Sequence, residues 1–290
     1  MNTPPGTTPS PDGTQPAPAV AAVPAVAAVP AVASVAGVTV RYGRTTALDD
    51  VSLTFPAGVT GLLGPNGAGK STLLSLLSTV RRPQTGALTL LGEENPGRAR
   101  VRHVRQRIGV LPQSFGFYPR FTVLEFTEYA AWLRKVPAAR RRERAVEALR
   151  LVQMEKHAGS RMGALSGGML RRVGIAQAMV NEPSLVLLDE PTVGLDPAQR
   201  VGFRSIVQEL GDRCAVVMST HLAEDVAHVC DRVAVLLEGA VRFTGTVAEL
   251  CALPPGATVD GAGTGTGPDI DGAAVEAGYL HLAGAEAVAG

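Results

Sequence analysis

Gly64-Pro65-Asn66-Gly67-Ala68-Gly69-Lys70-Ser71 follows the apolar run Val59-Thr60-Gly61-Leu62-Leu63 and precedes a helix-like stretch, Ser71 to Thr79. The spacing is G-x-x-x-x-G-K-[ST], and a strand before it and a helix after it are the context that pattern requires. Each residue type has a chemical reason. Glycines let successive backbone N–H groups curl around an anion with no Cβ in the way. The helix start adds its positive end. Lys70 can reach the β- and γ-phosphates of a nucleotide, and the Ser71 hydroxyl can ligate Mg²⁺. Of 27 basic residues only Lys70, Lys135 and Lys156 are lysine, so an arginine-biased chain has kept lysine at the position that needs it.

A second element agrees with the first. Leu185-Val186-Leu187-Leu188 is a buried strand that delivers Asp189 and Glu190 to its C-terminal end, the edge of a doubly wound sheet where ligands bind. Asp189 is placed to hold Mg²⁺, and Glu190 to polarise a water attacking the γ-phosphate. Ala215–Ser219 and Val233–Leu237 read as further buried strands, and Val110-Leu111-Pro112-Gln113 ends another. Val38–Tyr42 and Val51–Phe55 alternate as half-buried antiparallel strands do. Residues 122–160 carry helical apolar spacing, at Leu124, Tyr129, Trp132 and Leu133, then at Val146, Leu149 and Val152. The fold class expected is α/β, a mainly parallel sheet with an antiparallel β layer and a helical subdomain.

Composition excludes several classes. A formal net charge of +1 gives no global field for nucleic acid or an acidic membrane. Cys214, Cys230 and Cys251 form no C-x-x-C pair, which argues for a reduced compartment and against zinc or structural disulfides. The longest uncharged apolar run, residues 16–36, restarts as Pro-Ala-Val at Pro18, Pro24 and Pro30. Proline at that interval breaks a helix, and no basic flank precedes it. Residues 1–34 therefore read as an extended, disordered leader and not as an anchor. Residues 254–272 also read as largely disordered, within a Gly/Ala-rich tail over 251–290 that allows a short C-terminal helix.

Between the two phosphate-side elements stands Leu165-Ser166-Gly167-Gly168-Met169, followed by a helix from Arg171 to Val180. Alone, it is another potential anion nest. In this position it resembles the signature motif of ATP-binding-cassette (ABC) proteins, and other family motifs follow in order. Gln113 resembles the Q-loop glutamine, Gly194-Leu195-Asp196 the D-loop, His221 the switch histidine, and Tyr42 the adenine-stacking aromatic. The resemblance spans about 35–250, with a helical subdomain over about 114–165, and implies a P-loop NTPase of the ABC type.

It implies that Gly64, Pro65, Asn66, Gly67, Ala68, Gly69, Lys70, Ser71 and Thr72 hold ATP, with Ser71, Gln113 and Asp189 on Mg²⁺. Glu190, His221 and Gln113 would serve hydrolysis. Ser166, Gly167 and Gly168 would close on nucleotide held by a second cassette, identical or paired. Met169 stands where the family most often has Gln, which leaves the role of that last side chain open.

Seven aromatics fall between Phe115 and Trp132. Phe126, Tyr129 and Trp132 recur at helical spacing and read as subdomain core, whereas Phe115, Phe117 and Tyr118 suit a groove for a transmembrane permease. Basic runs at Arg98–Arg107 and Arg140–Arg144 read as solvated helix faces. Leu111–Trp132, Ser219–Asp225 and Glu276–Leu280 resemble ABC-2-type and multidrug exporter subunits. That implies a peripheral subunit at the cytoplasmic face of the cell membrane. An importer motor is the alternative. Members acting on nucleic acid or ribosomes interrupt the cassette with coiled coils or zinc modules, or carry two cassettes, and no such feature appears here, so no nucleic-acid partner is expected.

Overall fold

A computed structural model describes residues 31–253 and 270–287. In chain order the elements are β1 (Ala33–Tyr42), β2 (Thr45–Phe55), β3 (Gly58–Leu63), α1 (Lys70–Leu77), β4 (Thr85–Leu90), β5 (Glu93–Glu94), α2 (Arg98–Gln106) and β6 (Ile108–Leu111). There follow α3 (Val123–Leu133), α4 (Arg141–Leu151), α5 (Gly167–Met179), β7 (Leu185–Asp189), α6 (Pro197–Gly211), β8 (Ala215–Thr220) and α7 (Ala223–Val229). The chain continues through β9 (Arg232–Leu237), β10 (Ala240–Thr246), α8 (Val247–Cys251) and α9 (Gly272–Ala287).

The main sheet has the order β10-β9-β3-β8-β7-β6, parallel except where β10 meets β9. An antiparallel sheet, β2-β1-β4-β5, forms the second layer. The parallel strands are buried on both faces, which is why they read as unbroken apolar runs. Val186 and Leu188 join the core beneath the helices, with Val216 and Met218. Leu185 and Leu187 turn the other way, joining the α1 residues Leu73 and Leu77 and the strand residues Val38 and Phe55. The mixed sheet, antiparallel layer and helical region match the expected class.

Local chemistry sets the helix starts. Thr122 accepts from the Glu125 N–H while the Glu125 carboxylate accepts from the Thr122 N–H, a reciprocal cap on α3. Asp196 caps α6, whose first residue is Pro197. The helical stretch over 122–160 is broken after α3, where Lys135 has φ 62° and Pro137 follows.

Two sequence readings change. The antiparallel strands begin earlier and run longer than their alternating cores, with Ala33 buried at 1 % exposure inside the stretch read as leader; residues 1–30 of that stretch lie outside the described residues. The tail holds a 16-residue helix, α9, longer than the short helix expected. Val275 of α9 is buried among Val226 and Leu250, and the Gly278 Cα lies so near α8 that a Cβ would meet the Leu250 carbonyl at 2.3 Å. The disorder read for 254–272 falls outside the described residues up to 269. Among the described residues no helix is long and apolar enough to cross a membrane.

Candidate functional site

Strand register brings the candidate residues together. Leu63 pairs with Thr220, so the glycine loop that leaves β3 starts level with His221, the residue after β8. Asp189 pairs with Ser219, and Leu111 pairs with Leu188. Gln113 and Glu190 each stand two residues beyond that last pair, and their side chains meet: Gln113 Nε2 donates to Glu190 Oε2 at 3.3 Å. His221 Nδ1 lies 3.6 Å from the other Glu190 oxygen. The C-terminal edge of four parallel strands thus carries one acid bracketed by two polar side chains.

The loop is held to its path by contacts that only glycine permits. At Gly69, φ is 102° and an added Cβ would sit 2.4 Å from the Ala47 carbonyl oxygen of β2. At Gly64 it would sit 2.3 Å from the Leu236 carbonyl oxygen of β9. Pro65, Asn66 and Gly67 form the exposed rim, while Ala68 and Lys70 are buried. Lys70 Nζ donates to the carbonyls of Gly64 and Pro65 at 2.6 and 2.9 Å, so the ammonium lies folded within its own loop. Burial pushes the Lys70 pKa down, opposed by the nearby Glu190 and Asp189 carboxylates.

A cation has partners here. Ser71 Oγ donates to Asp189 Oδ1 at 3.3 Å, a hydroxyl and a carboxylate on one exposed side of the loop. Such a sparse donor set fits Mg²⁺, which is typically held by one or two protein oxygens plus water and phosphate.

Sequence reading missed Ser219. Its hydroxyl donates to Asp189 Oδ1 at 2.6 Å and accepts from the Glu190 N–H at 2.9 Å, fixing the two acids relative to each other. Glu190 has φ 44°, a conformation costly for a side chain this size and held here by that contact. The available signal was that Ser219 stands at the C-terminal end of an apolar run, two residues before His221.

Tyr42 lies near the loop, its hydroxyl 3.5 Å from Thr72 Oγ1, with the Arg81 guanidinium 4.2 Å over its ring. One ring face is therefore occupied by a cation. Ser166, Gly167 and Gly168 do not join the loop. They start α5, which packs on β6, and β6 lies three strand spacings, about 14 Å, from β3. Ser166 and Gly167 are exposed, and Ser166 Oγ accepts from the Met169 N–H. The Met169 side chain packs against the core beneath the helices. Asp196, the last D-loop residue, is exposed and accepts from the Gln199 N–H at 2.8 Å.

The aromatic segment divides differently from its sequence reading. Phe126 is buried at 4 % exposure, but Trp132 is 52 % exposed and stacks on Tyr129 at 5.7 Å. Each i+3 step falls about 60° short of a full helical turn, so two steps carry Trp132 off the buried stripe. That stripe is Val123, Phe126, Thr127, Ala130 and Ala131. Phe115 packs half-buried against Phe126 at 6.2 Å. Phe117, Tyr118, Tyr129 and Leu133 line an open groove of about 410 Å³.

A family profile described as ABC transporter matches residues 48–193. An uncharacterized ABC transporter ATP-binding protein of Nostoc is 41 % identical over 211 residues, covering 71 % of this chain and 62 % of that protein. The Nod factor export ATP-binding protein I of Burkholderia orbicola is 39 % identical over 208 residues, covering 70 % of this chain and 66 % of its own length. The chain thus spans less than two thirds of either relative. Among solved structures, cbiO1 of Clostridium perfringens, described as part of the ABC transporter complex cbiONQ, matches 77 % of this chain and 91 % of its own with TM-score 0.70 and 28 % identity. A bacterial ABC transporter cassette solved as a dimer matches 74 % of this chain and 98 % of its own, with TM-score 0.65 and 28 % identity.

Proposed function

The chain belongs to the ABC transporter family, and on that premise we propose that it is the ATP-hydrolysing subunit of an exporter with a separate transmembrane permease. The observation that carries the chemistry is the meeting of Gln113, Glu190 and His221 beside the glycine loop. Glu190 acts as general base toward the attacking water, its two oxygens oriented by Gln113 and His221. Lys70 exchanges its loop carbonyls for phosphate oxygens, and the backbone N–H groups of residues 66–71 cradle the rest. Mg²⁺, held by Ser71 and Asp189 with Gln113 nearby, neutralises charge on the phosphate oxygens when bound. Tyr42 offers its free face to the adenine ring.

A second cassette, identical or paired, completes the site. Ser166 and Gly167 are exposed at the start of α5, and a helix N-terminus there suits a partner's γ-phosphate. The groove at Phe117, Tyr118 and Leu133 suits a permease segment, in keeping with a peripheral subunit at the cytoplasmic membrane face. Export is supported by the likeness to Nod factor export ATP-binding proteins. Glu190→Gln should bind ATP as the parent does and turn it over about 10²- to 10⁴-fold more slowly; normal turnover would remove the general-base role. Pull-down from gently solubilised membranes should recover a polytopic membrane protein, and recovery of ribosomes or nucleic acid alone would overturn the transport role.

A further inference from the structure

One fully buried carboxylate, outside the hydrolytic set, joins the segments that carry Glu190 and His221. Asp225 has 0 % exposure and stands in the first turn of α7, four residues after His221. Its Oδ2 accepts from Thr192 Oγ1 at 2.5 Å, two residues after Glu190. Its Oδ1 accepts from Arg204 Nε and Nη2 at 3.0 and 2.9 Å, from the helix that follows Gly194-Leu195-Asp196. Arg204 also reaches Glu224 at 3.3 Å. A buried carboxylate held by two guanidinium N–H groups and a hydroxyl has little freedom to move, because any displacement leaves charge unpaired in a dry site.

The segment it holds is the strained one. Glu190 has φ 44° and Gly194 φ 80°, with the Val193 N–H donating to the Glu190 carbonyl and the Leu195 N–H to the Thr192 carbonyl. Thr192 is 2 % exposed at the centre of that turn. A shift of Thr192 therefore moves Glu190 on one side and Leu195-Asp196 on the other. A shift of α7 moves His221 through Leu222, whose N–H donates to Thr220 Oγ1.

We propose that Thr192, Asp225 and Arg204 are positioning residues for hydrolysis, holding Glu190 and His221 in one shared geometry and tying both to the Gly194–Asp196 turn. None of the three touches the reacting atoms; they act through the two segments they join. The proposal rests on the hydrolytic reading of Glu190 and His221.

The test is Thr192→Val, which keeps shape and removes the donor, beside Thr192→Ser, which restores it. Nucleotide affinity is read with a fluorescent ATP analogue, and turnover under saturating ATP. Thr192→Val should leave affinity within about twofold and lower kcat about ten- to hundredfold, as misplacement of a base does. Thr192→Ser should recover most of the loss. Asp225→Asn, if it folds, should show the same split. A Thr192→Val protein that melts lower yet turns over at the parent rate would make the network purely structural and overturn the proposal. Failure of the underlying reading looks different: there the parent protein itself shows no turnover, or Glu190→Gln shows no loss.

Discussion

Replacing Gly69 by alanine tests the loop geometry against a control built into the same loop. At Gly69 the added Cβ lies 2.4 Å from the Ala47 carbonyl oxygen and 2.8 Å from Leu48 Cδ2, with φ 102°. Ala47 lies in β2 at the register shift between the Val40–Leu48 and Arg41–Thr46 pairs, so the clash is with strand backbone. At Gly67 φ is 86° and nothing lies within 4 Å of the added Cβ. Both substitutions carry the backbone cost of a left-handed alanine, about 1–2 kcal/mol. Only Gly69→Ala adds steric overpacking, about 1–3 kcal/mol.

The difference between the two variants is then about 2 kcal/mol, which at about 3 °C per kcal/mol for a domain this size is about 6 °C in melting midpoint. If the loop relieves the clash by moving away from β2, Lys70 moves with it, and nucleotide affinity falls by about 30-fold for 2 kcal/mol. The assay is thermal melting of parent, Gly67→Ala and Gly69→Ala, each with and without saturating MgATP. Gly69→Ala should melt lowest and lose most of the upward shift that nucleotide produces. Equal midpoints and equal nucleotide shifts for the two variants would refute the argument, since packing against Ala47 would then not shape the loop.

Other outcomes follow from burial. Burial raises the Cys214 thiol from 9.0 to about 11 and raises Cys230 still further. Both should resist maleimide at pH 8 in the folded protein and react at once in denaturant. Because the folded pKa of Cys214 is the higher, its stabilising contribution is complete below pH 9 and is lost as pH rises towards 11, which a denaturation series at pH 8 to 11 reads as falling stability. Val275→Ala removes two buried methyl groups, about 1.6 kcal/mol, from the docking of α9. Hydrogen exchange over 272–287 should quicken while α1 stays protected, and a uniform rise would show that α9 is integral to the core. Tyr118→Ala should change stability by less than about 1 kcal/mol, as its ring is half exposed; it should weaken recovery of the permease, and unaltered recovery would exclude the groove it lines.

The sequence by itself determined the fold class and most of the site, because those features are local. The glycine loop has its spacing, the buried strands have unbroken apolar runs, and α3 and α6 have their caps written beside them. Even the meeting of Gln113 with Glu190 follows once β6 and β7 are aligned. What it did not reveal depends on neighbours distant in the chain. Ser219 matters because β8 lies beside β7, and Asp225 because α6 and α7 bury it with Thr192 and Arg204. Trp132 carries the same helical spacing as Phe126 but falls on the outer face, a matter of which side of α3 meets α4 and α5. The tail is the sharpest case: its Gly/Ala composition suggested no more than a short C-terminal helix, yet Gly278 is what lets the 16-residue α9 lie against the Leu250 carbonyl. Only tertiary packing decides such positions, because burial is a property of the assembled surfaces and not of the residue that ends up inside them.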